Sequence, residues 1–157
     1  MSGVKMVQNC TCRCGKSGFK VDGRPLARFV CHCTICQSVY KGPYADVTTF
    51  LSGSITLDPK RSAEFRKYRS PPAVRRGTCP HCSAPVIGFL GLAPFLTLAF
   101  VPSQNFANRA ALPPQLAHIF YERRTEDAHD TLPKISGYWA SELKVTRMVP
   151  GGLFGSR

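Results

Sequence analysis

Hydrophobic and polar positions along this chain alternate over short runs, broken often by glycine and proline. Gly18-Phe19-Lys20-Val21-Asp22-Gly23 sets Phe19 and Val21 on one face and Lys20 and Asp22 on the other, then closes on glycine. That is the pattern of a half-buried strand ending in a turn. Residues 26–33, 44–50, 54–57, 63–68 and 116–121 carry similar strand-forming residues with turns between them. Residues 34–41 predict a short helix with Thr34 as its N-cap. Ser70-Pro71-Pro72 predicts a loop, and residues 74–78 lead from it into a cysteine pair. Residues 144–157, basic and then glycine-rich, predict a frayed tail. Many short strands with Gly and Pro turns predict a mainly β protein with short helices. No repeat of whole units is visible, and 157 residues fit one domain spanning 1–157.

One stretch imitates a membrane span. Residues 84–101 carry no charge over about 18 positions, the threshold length for a spanning helix. Pro85, Gly88, Gly91 and the turn Gly91-Leu92-Ala93-Pro94 argue against a single helix. Two buried strands joined by that turn fit better, so no membrane association is expected.

Composition narrows the class. A hydrophobic content of 43% excludes wholesale disorder. A chain this long buries roughly two-thirds of its unfolded surface. Lys and Arg number 21 against 9 Asp and Glu, a net charge of +12. Such a surface attracts anions, whether nucleic acid, acidic lipid or small carboxylates.

The eight cysteines change the picture most. A secreted disulfide framework calls for a signal peptide, and residues 1–8 have no apolar core segment. Cys-x-Cys and Cys-x-x-Cys spacings close tiny rings as disulfides and constrain little chain. They suit a metal, which takes sulfurs converging from one side. A reducing, cytoplasmic setting follows.

Geometry sorts the cysteines. A closed zinc site takes four ligands, usually two from each of two loops. Cys12 and Cys14 supply one pair and Cys79 and Cys82 the other, with Gly15 allowing tight backbone at the first. Cys31, Cys33 and Cys36 remain as a three-thiolate set. Three ligands leave a fourth position for water or substrate, the catalytic arrangement. In an extended segment Cys31 and Cys33 point one way and His32 the other, so His32 is not expected to bind the same ion. The start of the following helix adds positive partial charge that favours ionised thiols. Cys10 is read as a spare thiol, with a fourth ligand of the open site as the alternative. A purely structural role for both zinc ions also stays open. His81 is expected to face solvent, and His118 and His129 to be surface or satisfied core residues.

The motifs Cys12-Arg13-Cys14-Gly15, Cys31-His32-Cys33-x-x-Cys36 and Arg76-Gly77-Thr78-Cys79-Pro80-x-Cys82 resemble the glutathione-dependent formaldehyde-activating enzyme family, which also includes centromere protein V. Leu26-Ala27-Arg28, Gly42-x-Tyr44-Ala45 and Tyr68-Arg69-Ser70-Pro71 add to the likeness, which runs from about Gln8 to Leu90. The metal-bearing region is accordingly placed at about residues 8–90. The resemblance implies a β-rich zinc fold of the Rab-exchange-factor-like type, with a structural zinc at the paired clusters and a catalytic one at the middle cluster. It implies joining of glutathione and formaldehyde as S-hydroxymethylglutathione, formally a carbon–sulfur lyase reaction. Ser83 stands after Cys82 where that family usually has glycine, which puts strain on the knuckle.

Two functions follow as expectations. In the first, the chain is a zinc enzyme whose open site receives a thiol and lowers its pKa, with glutathione as co-substrate. Three thiolates weaken the metal as a Lewis acid, so carrying a soft sulfur ligand suits the site better than activating water. Arg28, Arg69, Arg75 and Arg76 are candidates for the glutathione carboxylates. In the second, the chain is a zinc-stabilised basic module binding nucleic acid or a protein, without catalysis. Its basic residues are dispersed, and no recognition helix or stacking-aromatic pattern is visible, which favours the first.

Overall fold

A computed structural model describes residues 4–69 and 74–154. The chain is mainly β. Strand β1 (Met6–Thr11) and β2 (Gly18–Gly23) form an antiparallel hairpin. Strand β3 (Ala27–Cys31) leads into helix α1 (Thr34–Tyr40), followed by β4 (Ala45–Leu51) and β5 (Ile55–Leu57). Strands β6 (Glu64–Lys67), β7 (Arg75–Thr78), β8 (Pro85–Ala93) and β9 (Leu96–Pro102) form an antiparallel meander. A short β10 (His118–Ile119) and helix α2 (Tyr138–Phe154) complete the order. One sheet has the order β1-β2-β5, the other β10-β3-β4-β9-β8-β7-β6.

Strand β1 had no sequence signal, because its alternation is imperfect. Met6 and Cys10 are buried, while Gln8 exchanges hydrogen bonds with the Asn108 backbone. The apolar run is two strands, as the glycines and prolines indicated. Its turn lies at Pro94-Phe95, later than the expected Gly91–Pro94, and Phe95 stands at the tip, 91% exposed. Of residues 116–121 only His118 and Ile119 pair, parallel to Val30 and Cys31. The strand stops where Phe120 takes a left-handed backbone, φ 52°. Residues 144–154, expected as tail, belong to α2. Ser141 is buried, and Val145 and Met148 pack against the core, spacings that fall on one helix face. The Pro150-Gly151-Gly152 sequence hid that helix. The expected loop at Ser70-Pro71-Pro72 lies outside the described residues. No described helix is long and apolar enough to cross a membrane.

Two main cores each include cysteines of one cluster, and a small third packs Leu26 on Leu98. The larger joins the two sheets through Phe19, Val21, Phe50, Val86, Val101 and Phe106, and includes Cys12 and Cys79. The smaller packs Phe29, Ala45, Val47 and Ile119 around Cys31 and Cys36. Strand β4 serves both, through Phe50 and Val47.

Asp46 on β4 fixes the registry of this region. It accepts Arg28 Nε at 2.9 Å and Arg28 Nη2 at 2.7 Å, Ser103 Oγ at 2.8 Å and Gln115 Nε2 at 3.0 Å. Arg28 also donates to Pro113 O at 3.1 Å. The bidentate pair raises the Arg28 pKa. Asp46→Ala strips a half-buried guanidinium of its anion and should cost about 3 kcal/mol. Denaturant unfolding of the variant measures this; a loss under 1 kcal/mol, the ~0–1 range of an exposed pair, would refute the assignment.

Candidate metal centres

The first cluster forms where two tight turns meet. Cys12 ends the β1–β2 hairpin's first strand region, and Gly15 follows with φ 78°, its N–H bonded to Cys12 O at 3.0 Å. Cys79 and Cys82 flank the turn between β7 and β8. The four sulfurs of Cys12, Cys14, Cys79 and Cys82 lie within 4.8 Å of one another. Cys12 Sγ to Cys14 Sγ is 3.5 Å and Cys14 Sγ to Cys79 Sγ is 3.7 Å. A tetrahedron with Zn–S bonds of ~2.3 Å has edges of roughly 3.8 Å, so this donor set fits a thiolate-bound ion. The backbone N–H of Ser17 donates to Cys12 Sγ at 3.4 Å. Arg13 Nη2 donates to Cys82 O at 3.2 Å, and Arg61 Nη2 to Gly15 O at 2.6 Å. These two arginines strap the turns, a role local sequence does not reveal. Ser83 carries φ 61°, the left-handed strain expected of a residue standing for glycine, and its N–H bonds Cys79 O at 2.8 Å.

The second cluster is Cys31, Cys33 and Cys36, whose sulfurs also lie within 4.8 Å of one another. Cys31 arrives on β3, Cys36 from the first turn of α1. Cys33, in place of the expected Thr34, is the N-cap, and its Sγ accepts the Cys36 N–H at 3.3 Å. Hydrogen bonding from its neighbours, Cys31 first and then Cys36, holds the Cys33 thiol well below its usual pKa. The same contacts, with burial, push Cys31 up. The three thiols thus stabilise negative charge on the central sulfur, and a soft divalent cation would draw out the remaining protons. Cys10 belongs to neither cluster. It is buried in the larger core, and burial pushes its thiol up to about 12.

His32 projects to the opposite face. Its Nε2 lies 2.8 Å from His118 Nδ1, and His118 Nε2 lies 2.8 Å from Asp130 Oδ2. Burial lowers the His32 pKa to about 4, so it is neutral near neutral pH. The His118 hydrogen bond, then Lys134, lowers Asp130 to about 2. His32 Nδ1 is buried and has no hydrogen-bond partner among the described residues. Tyr121 stands edge-on to His32, ring centroids 5.2 Å apart. His118 is therefore a satisfied core histidine with partners 86 and 12 residues away, beyond the reach of local sequence. His81 and His129 are exposed.

A cavity of about 540 Å³ opens beside the three-cysteine cluster. Phe29, Val47, Ile87 and Phe100 form apolar wall, and Arg69, Arg76, Arg123, Glu122 and Glu142 bring charge to it. Of the candidate arginines, Arg69 and Arg76 line this cavity. Arg28 is held by Asp46, and Arg75 lies against the Phe65 and Phe89 rings, 4.8 and 5.6 Å from their centroids. Tyr40 also lines the cavity, and burial raises its pKa well above the ordinary phenol value. Arg123 and Tyr40 had no sequence signal beyond their residue types.

Among known protein families, the model described as glutathione-dependent formaldehyde-activating enzyme matches residues 7–123. The match runs past Leu90, where the motifs thin out, through β10. A search of curated proteins found no match.

Two substitutions test the local arguments. Ser83→Gly should raise stability by about 0.5 to 1 kcal/mol, the left-handed strain relieved less the chain entropy glycine adds. Thermal melts measure it, and a destabilised variant would contradict the strain. His118→Ala leaves both His32 nitrogens without partners and should cost roughly 1–3 kcal/mol. A cost near zero in denaturant titration would mean the hydrogen-bonded chain contributes nothing.

Proposed function

The chain belongs to the glutathione-dependent formaldehyde-activating enzyme family, and from that premise we propose that it is a zinc-dependent enzyme of carbon–sulfur lyase type that forms or breaks an S-hydroxymethylglutathione-type adduct. The observation that carries this reading is the contrast between the clusters. One offers four sulfurs, while the other offers three and faces a cavity of about 540 Å³. In this reading the four-cysteine set holds a structural ion and Cys31, Cys33 and Cys36 hold a second. That second ion, when bound, would supply an open soft-ligand position and lower the pKa of an incoming thiol.

The remaining work falls to the chain. Arg69 and Arg123 on the cavity wall would receive the carboxylates of glutathione. Phe29, Val47 and Phe100 would keep water from the reacting sulfur and strengthen electrostatic contacts there. Tyr40, held protonated by burial, would donate to the aldehyde oxygen. In the forming direction the thiol loses its proton to solvent, its sulfur bonds to the carbonyl carbon as the C=O π bond breaks, and the oxygen that takes that electron pair is protonated by Tyr40, which regains a proton from solvent. The reverse restores thiol and aldehyde.

Zinc-loaded protein should contain two ions per chain and consume formaldehyde only when glutathione is present. Cys33→Ser should keep its fold but lose one ion and the activity. Cys79→Ser should unfold or aggregate, because a structural zinc contributes on the order of 10 kcal/mol. Metal analysis, circular dichroism and an aldehyde assay give the readout. One ion in fully loaded protein, a folded Cys79→Ser, or aldehyde loss that ignores glutathione would each overturn the proposal.

A further inference from the structure

Arg76 sits on β7 and its side chain reaches the cavity shared with Cys31, Cys33 and Cys36. It is half-buried. Among the described residues it has no hydrogen bond and no ion pair, whereas Arg13, Arg28, Arg61 and Arg124 each have one. A guanidinium partly withdrawn from water and without a direct anion favours negative charge in the cavity it reaches. The groups that act most on its charge are Cys36, Cys33, Tyr40 and Cys31, and Glu122 and Glu142 on the same cavity wall form no ion pair with it among the described residues. Gly88 pairs with it across β7 and β8, and a Cβ there would come within 2.9 Å of Val74 and 3.9 Å of Arg76 Cγ, so the lack of a side chain at Gly88 leaves room for the Arg76 stem.

We infer that Arg76 is the counter-cation of the three-cysteine centre, and that it biases the open fourth position toward anionic ligands. The inference rests on the metal reading above. A divalent ion with three thiolates carries a net charge of −1, and an anionic fourth ligand takes it to −2. Between walls such as Phe29, Ile87 and Phe100 that second charge is poorly screened. The fixed positive charge of Arg76 offsets it and does nothing for a neutral ligand. Arg76 is thus a positioning residue for the bound anion, thiolate included, instead of a holder of a substrate carboxylate.

The test uses the full chain with cobalt in place of zinc, read by its visible absorption, with azide as the anionic probe and imidazole as the neutral one. Arg76→Gln should hold two metal ions, bind azide at least about tenfold more weakly, and bind imidazole within about twofold of the parent. Arg76→Lys, which keeps the charge, should retain most of the azide affinity. Equal losses for both probes would mark a merely structural residue and overturn the inference. So would unchanged azide binding in Arg76→Gln, or Arg76→Lys losing as much as Arg76→Gln. Azide and imidazole need only the open metal position. A parent protein that binds azide but no thiol would sink the thiol reading while leaving the Arg76 result standing. One that binds neither probe would sink both.

Discussion

Successive side chains of an extended strand face opposite ways, and at Cys31-His32-Cys33 that rule divides the protein in two. The sulfurs go to the side of the smaller core and the cavity, and the imidazole to the side of His118 and Asp130. Each side then holds the other in place. The His32 N–H donates to Ile119 O at 3.0 Å and its carbonyl accepts from Gln37 Nε2 at 2.7 Å, so the thiol-bearing segment is clamped between β10 and α1. A one-residue slip would exchange thiols for imidazole on the cavity face. The Asp46 network, opposite Val30 in the β3–β4 register, guards against it, tying β3, β4 and the segment after β9 by charged hydrogen bonds.

Charge is distributed to match. The chain has nine acidic residues against 21 basic ones, so most cations have no acid to meet. Apart from Arg28 on Asp46, several arginines bind carbonyls or aromatic faces instead: Arg13 and Arg61 at the four-cysteine turns, Arg75 between Phe65 and Phe89. Asp46 collects four donors, while Arg76 at the cavity has no ion pair among the described residues. A surplus of cations therefore becomes specific where burial removes the alternative of solvation. The positive surface elsewhere remains a general attraction for anions.

The two cysteine sets also differ in what surrounds them. The four-sulfur set lies at the junction of the two sheets, with Cys12 and Cys79 in the larger core, and its turns are strapped by two arginines. The three-sulfur set lies at a helix start beside open space. Members of one fold family can differ in substrate because such space is shaped by loops and by helices like α2, which lie outside the ligand motifs.

Local spacing settled a good deal by itself. The 2-residue and 3-residue cysteine intervals, Gly15, and the alternation at residues 31–33 are short-range facts, and they predicted which sulfurs converge and that His32 would turn away. Glycines and prolines within residues 84–101 likewise predicted a hairpin, since their backbone limits act on neighbours alone. Strained Ser83 was legible only through the family resemblance, which has glycine at that position. Tertiary structure decided what depends on distant partners. Helix α2 is held by Val145 and Met148 against a core built from β3 and β4, against the helix-breaking Pro and Gly near its end. Arg28 and Arg76 look alike in sequence, and only packing gives one Asp46 and the other a cavity. His118 meets His32 across 86 residues because β10 runs beside β3, a pairing no local pattern encodes. Burial and partner choice are properties of the assembled chain, whereas spacing and backbone freedom belong to the sequence itself.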